Sequence, residues 1–239
     1  MSSIKVLYED NHIIAVVKPA GVLTQGDGSG KKSLFDMVKD YLKEKYKKPG
    51  NVFLGLVHRL DKPVQGIVLF GKTSKGASRL SEQFRNHTIQ KTYHAIVVGK
   101  PKESRGEIKE KVSKISFFAE GFTNKTDEEL LEAVKKATKT RTAELSWELV
   151  KSNDKYSLLK ILPKTGRFHQ IRVQLANMGC PILGDAKYGH SRASEHRSGW
   201  HDSNSIALAA TAISFKLATE DEIINLEISL PREWNNYIK

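Results

Sequence analysis

Residues 57–73, "VHRLDKPVQGIVLFGKT", set one acid, Asp61, between His58-Arg59 and Lys62, with apolar runs on either side. Asp followed by Lys-Pro is ordinary turn chemistry. The same arrangement also suits a reactive group, since carboxylates attack anomeric carbons and stabilise oxocarbenium-like charge. Arg59 precedes Asp61 by two residues, so in an extended stretch both project on one face. Two later segments carry side chains that such a reaction would use. In "KTYHAIVVG" strand alternation sets Tyr93, Ala95 and Val97 on one face, where a tyrosine is either core or a stacking platform. "KTGRFHQIRVQL" brings Arg172, whose guanidinium fork is suited to hold a carboxylate ionised and aim one oxygen.

The whole chain limits the partners these residues can have. Its 239 residues suffice for a full core, and net charge +12 with pI near 9.6 favours an anionic partner, nucleic acid before membrane. Residues 31–100 carry +10 and residues 141–200 carry +5, so the excess surrounds the segments just quoted. Cys180 is the lone cysteine, which rules out an intramolecular disulfide and any multi-cysteine zinc site. The first residues have no apolar core after a basic cap, and no apolar run approaches the ~20 residues of a membrane helix. We therefore expect a cytoplasmic protein, and take it as a monomer with no obligate protein partner, although the sequence does not read out oligomeric state.

The elements that must position the reactive groups follow from periodicity. "KVLYED", "HIIAVVKP", "GIVLFGK", "KTYHAIVVGK", "RTAELSWELVKS", "YSLLKILP", "IALAATAISFKLA" and "IINLEISLP" read as strands. "SLFDMVKDYLKEKY" reads as a helix burying Leu34, Val38 and Leu42, opened by a Ser33–Asp36 capping box. "SKGASRLSEQFRNH" is a second helix with Ala77, Leu80 and Phe84 inward, and "HQIRVQLANMG" a short third ending at Gly179. Strands outnumber helices without regular alternation. The expected fold class is therefore α+β, a large mixed and mainly antiparallel sheet with flanking helices. Residues 1–239 are read as one domain with a charged insertion around 101–140 that includes a helix at "DEELLEAVKKAT".

With "HRLDKPVQGIVLF", "KTYHAIVVG" and "KTGRFHQIRVQLANMGCPILGDAKYG" in this order, after "YEDNHIIAVVKPAGVLTQGD", the sequence resembles the RluA family of RNA pseudouridine synthases over nearly its whole length. The resemblance implies the pseudouridine synthase fold and a reaction needing no cofactor. A uridine in tRNA or rRNA is detached from its sugar at nitrogen, rotated and rejoined through carbon. It implies that Asp61 is the nucleophile or charge stabiliser, that Tyr93 packs on the flipped uracil, and that Arg172 partners Asp61. It also implies that His58, Arg59, Lys164, Arg167, His169 and Gln170 bind RNA, with Arg59 helping to hold open the gap left by the flipped base. Val64-Gln65-Gly66 stands where many relatives have Thr-Ser-Gly. The retained glycine allows a close backbone approach, and the missing hydroxyls bear on local RNA contacts. Many relatives also carry an N-terminal S4 module that is not seen here, so substrate choice is expected to lie in the catalytic domain or the 101–140 insertion.

The rival from another class is a non-catalytic RNA-binding protein on the same fold. A nucleoside or glycoside hydrolase shares the carboxylate chemistry but usually needs a second acid, and none is evident near these motifs. His190, His196 and His201 match no zinc spacing, so no metal site is expected. Cys180 is read as buried and inert.

Overall fold

Ser33 begins the first helix as its sequence predicts. Its side chain accepts the Asp36 N–H while the Asp36 carboxylate accepts the Ser33 N–H, and Leu34, Val38 and Leu42 point inward. The computed structural model describes residues 4–112, 140–189, 200, 204–219 and 221–238. The expected helix at 127–138 and the histidines 190, 196 and 201 lie outside the described residues.

Along the chain run β1 (Lys5–Glu9), β2 (Ile13–Lys18), α1 (Leu34–Lys45), β3 (Gly55–Leu56), β4 (Gln65–Gly71), α2 (Ser74–Arg85), β5 (Gln90–Val98), β6 (Arg105–Val112), β7 (Arg141–Ser152), β8 (Tyr156–Pro163), α3 (Gln170–Asn177), β9 (Leu208–Lys216) and β10 (Ile223–Glu227). The strands form one sheet in the order β1-β2-β4-β9-β5-β8-β7-β6, with β10 on β9 and β3 on β4. Only the short β4–β9 pairing is parallel among the described strands. This is the α+β, mainly antiparallel architecture that the strand-rich pattern implies.

Both faces of the central strands are covered, which is why β2 reads as an unbroken apolar run. Ile14 and Val16 of β2 join the core beneath α1 and α3, with Leu34, Val38, Ile171 and Leu175. Ile13 and Ala15 face the other way, with Leu80 of α2 and Phe215 of β9. Fully burying each such leucine or isoleucine stabilises by about 1.5–3 kcal/mol.

Two elements differ from the sequence reading. The apolar run Val52 to Val57 yields only the two-residue β3, with Val52 and Leu54 buried in the core ahead of it. Within the 101–140 stretch, residues 105–112 form the edge strand β6, in register with β7. Its charged sequence masks the strand pattern. Charged side chains are common on edge strands because they deter pairing with other chains.

Candidate active site

One row across the sheet positions the chemistry. Lys18 of β2 opposes Gly66 of β4, Gly66 pairs with Ala210 of β9, Ala210 opposes Tyr93 of β5, and Tyr93 opposes Ile161 of β8. Directly opposed residues share a face. The β5–β9 register shifts between Thr92 and Tyr93, and such a bulge re-aims a side chain. At Gly66 φ is +131°, and a Cβ there would stand 2.3 Å from the Ala210 carbonyl oxygen. Only glycine admits this close approach, which sets the root of the Asp61 loop against the strand beside Tyr93.

Asp61 lies between β3 and β4, and the residues on either side of it are pinned. The Thr24 hydroxyl donates to the Leu60 carbonyl at 2.7 Å and accepts the Leu60 N–H at 3.1 Å. The Lys62 carbonyl accepts the Gly21 N–H at 2.9 Å and the Lys18 ammonium at 3.0 Å. Lys18 is fully buried and also donates to the carbonyls of Pro19 and Val22. Burial lowers its pKa to about 7 against the opposing pull of Asp61. Its three acceptors match the three N–H bonds of the ammonium, so the cage fits the cation.

Arg172, in the first turn of α3, donates from Nη1 to Asp61 Oδ2 at 3.3 Å. Its fork, however, belongs to Asp185. Nε donates to Oδ2 at 2.7 Å and Nη2 to Oδ1 at 2.8 Å, with both residues buried. This corrects the sequence reading in two ways. A second carboxylate is present near the motifs, held by the Arg172 fork and by the Lys187 and Tyr188 N–H groups, and Arg172 gives Asp61 a single contact rather than a fork. Burial accordingly raises the pKa of Asp61, with Arg172 acting downward and Asp185 upward. Burial, followed by the Asp61 charge, raises the Tyr93 hydroxyl, so it stays protonated in the physiological range.

His169 caps α3 in a left-handed conformation, φ 49°, a backbone state uncommon outside glycine and enriched at functional sites. Its Nε2 is 3.5 Å from Asp61 Oδ2, and its Nδ1 is 3.0 Å from the Tyr188 hydroxyl. Burial, then Arg172 and Lys187, lowers its pKa to about 3, so the ring beside Asp61 is neutral. Tyr188 also lies under the Arg172 guanidinium, 5.1 Å from ring centroid to carbon.

The other expected residues are placed differently from one another. Arg59 is exposed next to Asp61 and donates to the Gln25 side chain. His58 is held by the fold, its Nε2 accepting the Leu69 N–H at 2.9 Å and its ring stacked on Phe84. Burial lowers its pKa to about 3. Gln170 is buried. Its amide oxygen accepts from Thr165 and the Arg167 N–H, and its nitrogen donates to the Glu144 carbonyl, so it shapes the turn before α3. Arg167 is held by its Nε on the Thr142 carbonyl, and Lys164 pairs with Glu107 and Glu144. Gln65 sits one residue off the Lys18–Gly66 row and so projects from the opposite face. There it lines a cavity of about 170 Å³ with Lys5, Val17, Ala209 and Ile228. Gln65 therefore bears on packing of the C-terminal segment rather than on the face that carries Lys18 and Tyr93. Asp185, Tyr188 and Lys18 were not singled out in the sequence; an acid directly after the apolar run "CPILG" was the only hint of Asp185.

Among the described residues no helix is long and apolar enough to cross a membrane, and no group of His, Cys, Asp and Glu side chains could hold a metal. A family model described as RNA pseudouridylate synthase matches residues 12–177. The chain is 32% identical over 230 residues to a ribosomal large subunit pseudouridine synthase C of Rickettsia bellii, covering 96% of this chain and 69% of that one. It is 32% identical over 234 residues to a tRNA pseudouridine synthase C of Haemophilus ducreyi, covering 96% and 92%. In fold it is similar to the human RNA pseudouridylate synthase domain containing 4 structure, with TM-score 0.74 and 23% identity over 97% of this chain and 92% of that one.

Proposed function

The chain belongs to the RNA pseudouridylate synthase family and is an RNA-modifying isomerase, and we propose that it converts uridines of tRNA or rRNA to pseudouridine with Asp61 as the reacting carboxylate. The observation that carries the role of Asp61 is its setting. The carboxylate is mostly desolvated yet 24% exposed, and Oδ2 is turned to Arg172 and His169, so Oδ1 is the oxygen available to a ribose. In the reaction the C1′–N1 bond breaks, C1′ is held by Asp61 as a covalent adduct or a stabilised cation, and the base turns. A C1′–C5 bond then forms, the C5 proton is lost, and N1 ends protonated. Nothing is added or removed overall, and no cofactor is needed.

The uridine must leave its stack for C1′ to reach a carboxylate at the base of a groove. Arg59, exposed two residues from Asp61, is suited to occupy the gap. The Tyr93 ring offers a platform worth about 1–3 kcal/mol to the extruded uracil, and its protonated hydroxyl is a donor. Arg172 holds the charge of Asp61 and His169 adds a neutral wall. Arg167 would meet a phosphate by giving up the Thr142 carbonyl, and Lys164, paired with Glu107 and Glu144, would add less. His58 and Gln170 serve the fold of the two loops. We take residues 1–239 as one catalytic unit, monomeric and cytoplasmic, where tRNA and ribosomes are found.

The test is release of tritium from RNA labelled at uridine C5. The chain should release it, and Asp61→Asn should lower turnover at least about a thousandfold while RNA binding survives. Near-normal turnover in that variant would remove Asp61 from the chemistry. No release from the unaltered protein would favour the binding-protein reading, and an RNA mass change would point to hydrolysis.

A further inference from the structure

Lys91 stands between the two loops that carry the chemistry. It lies on β5, two residues before Tyr93 and across the register shift at Thr92, opposite Ile213 where Tyr93 opposes Ala210. Its ammonium is 3.9 Å from where a Gly166 Cβ would stand, in the turn before α3. It is also the charge that acts on His58, three residues before Asp61. The side chain is half-buried rather than fully exposed.

Two other inward-facing lysines of the fold have answers to their charge. Lys18 has three carbonyls, and Lys72 has Glu9 at 2.7 Å and the Asp10 carbonyl at 2.6 Å. For Lys91, among the described residues, no carboxylate or hydrogen-bond acceptor offsets the loss of water, and burial alone lowers its pKa. His58 and Gly166 beside it bring no negative charge, since His58 is neutral with its Nε2 taken by Leu69. A desolvated cation without a partner costs stability unless an anion completes the site.

We propose that Lys91 is a binding residue for a backbone phosphate of the RNA, held in the notch between the His58–Asp61 loop and the Gly166 turn. The phosphate would belong to the strand that delivers the uridine to Tyr93. The separation of Lys91 from Tyr93 along β5 is one that a single nucleotide can bridge. This inference deepens the proposed function and rests on it for the identity of the anion.

The experiment compares the full-length protein with Lys91→Met and Lys91→Arg on RNA labelled at uridine C5. Tritium release is read alongside fluorescence-anisotropy binding across a salt series. Lys91→Met should raise KM roughly tenfold, well beyond any fall in kcat, and make the log–log salt dependence of binding shallower by about one ion. Lys91→Arg should restore both. The thermal midpoint of Lys91→Met should not fall, because an uncompensated buried charge has been removed. An unchanged salt slope, or a loss confined to kcat, overturns the proposal. Unaltered protein that binds RNA but releases no tritium defeats the proposed function instead, while the salt slope still decides the part played by Lys91.

Discussion

At the scale of single residues, the site sets burial against charge. Arg172 is shared between two acids and Asp185 takes the better geometry, so Asp61 keeps one arginine contact, and burial raises its pKa despite that contact. Activity that needs the carboxylate should therefore rise with pH through a midpoint above that of an ordinary aspartate. Asp185→Asn removes a like charge and releases the arginine fork, and both changes lower the pKa of Asp61. The acid limb of the pH–rate profile should move to lower pH, while urea unfolding shows a loss of about 3–5 kcal/mol from the broken buried pair. An unmoved acid limb would break the link between Asp185 and Asp61. The sign for stability runs the other way at residue 61. A raised folded-state pKa means the native protein holds the proton more tightly than the unfolded chain does. Stability from this group is thus present at low pH and lost as pH rises through the folded value. At neutral pH the ionised Asp61 is a cost, so Asp61→Asn should melt no lower than the unaltered protein even as it abolishes turnover.

At the scale of elements, the β4–β9 crossing joins the loop carrying Asp61 to β9, the strand beside the one carrying Tyr93. Gly66→Ala should destabilise by about 3 kcal/mol or more, because the methyl meets backbone rather than a flexible side chain, and it should lower turnover as well. Gly28→Ala is the control. It too has a positive φ, +86°, but open space around it, so it should cost only about 1–2 kcal/mol and leave turnover alone. Equal losses in urea would mean that backbone conformation, not close approach, decides residue 66. Strand and helix positions were legible where periodicity and caps agree, as at Ser33–Asp36 and in β7 and β8. β6 was not, since an edge strand of alternating charge carries no apolar pattern. Asp61, Tyr93 and Arg172 could be picked out because their local motifs are distinctive. Asp185 and Lys18 could not, because an acid or a lysine in an apolar stretch acquires its meaning only from what the fold sets opposite it.

At the scale of the whole molecule, the charge is unevenly distributed. The segments holding the HRLD and FHQIR motifs carry most of the excess, while residues 201–239 are net −3. Part of that excess is already spent inside the protein. Lys45 and Lys72 converge on Glu9, whose pKa falls to about 2 as these hydrogen bonds outweigh its burial, and Lys164 bridges Glu107 and Glu144. What remains for RNA is the smaller set around the groove, with Arg59, Arg167 and Lys91 foremost. If roughly four to six phosphates are neutralised there, affinity should fall with a log–log salt slope of about −4. Between 50 and 200 mM salt that amounts to a loss on the order of a few hundredfold, readable by anisotropy on a structured RNA. Lysines already paired within the fold should contribute little, so Lys45→Gln should leave the slope unchanged. A slope near zero would mean that the surplus charge of this chain serves something other than the RNA backbone.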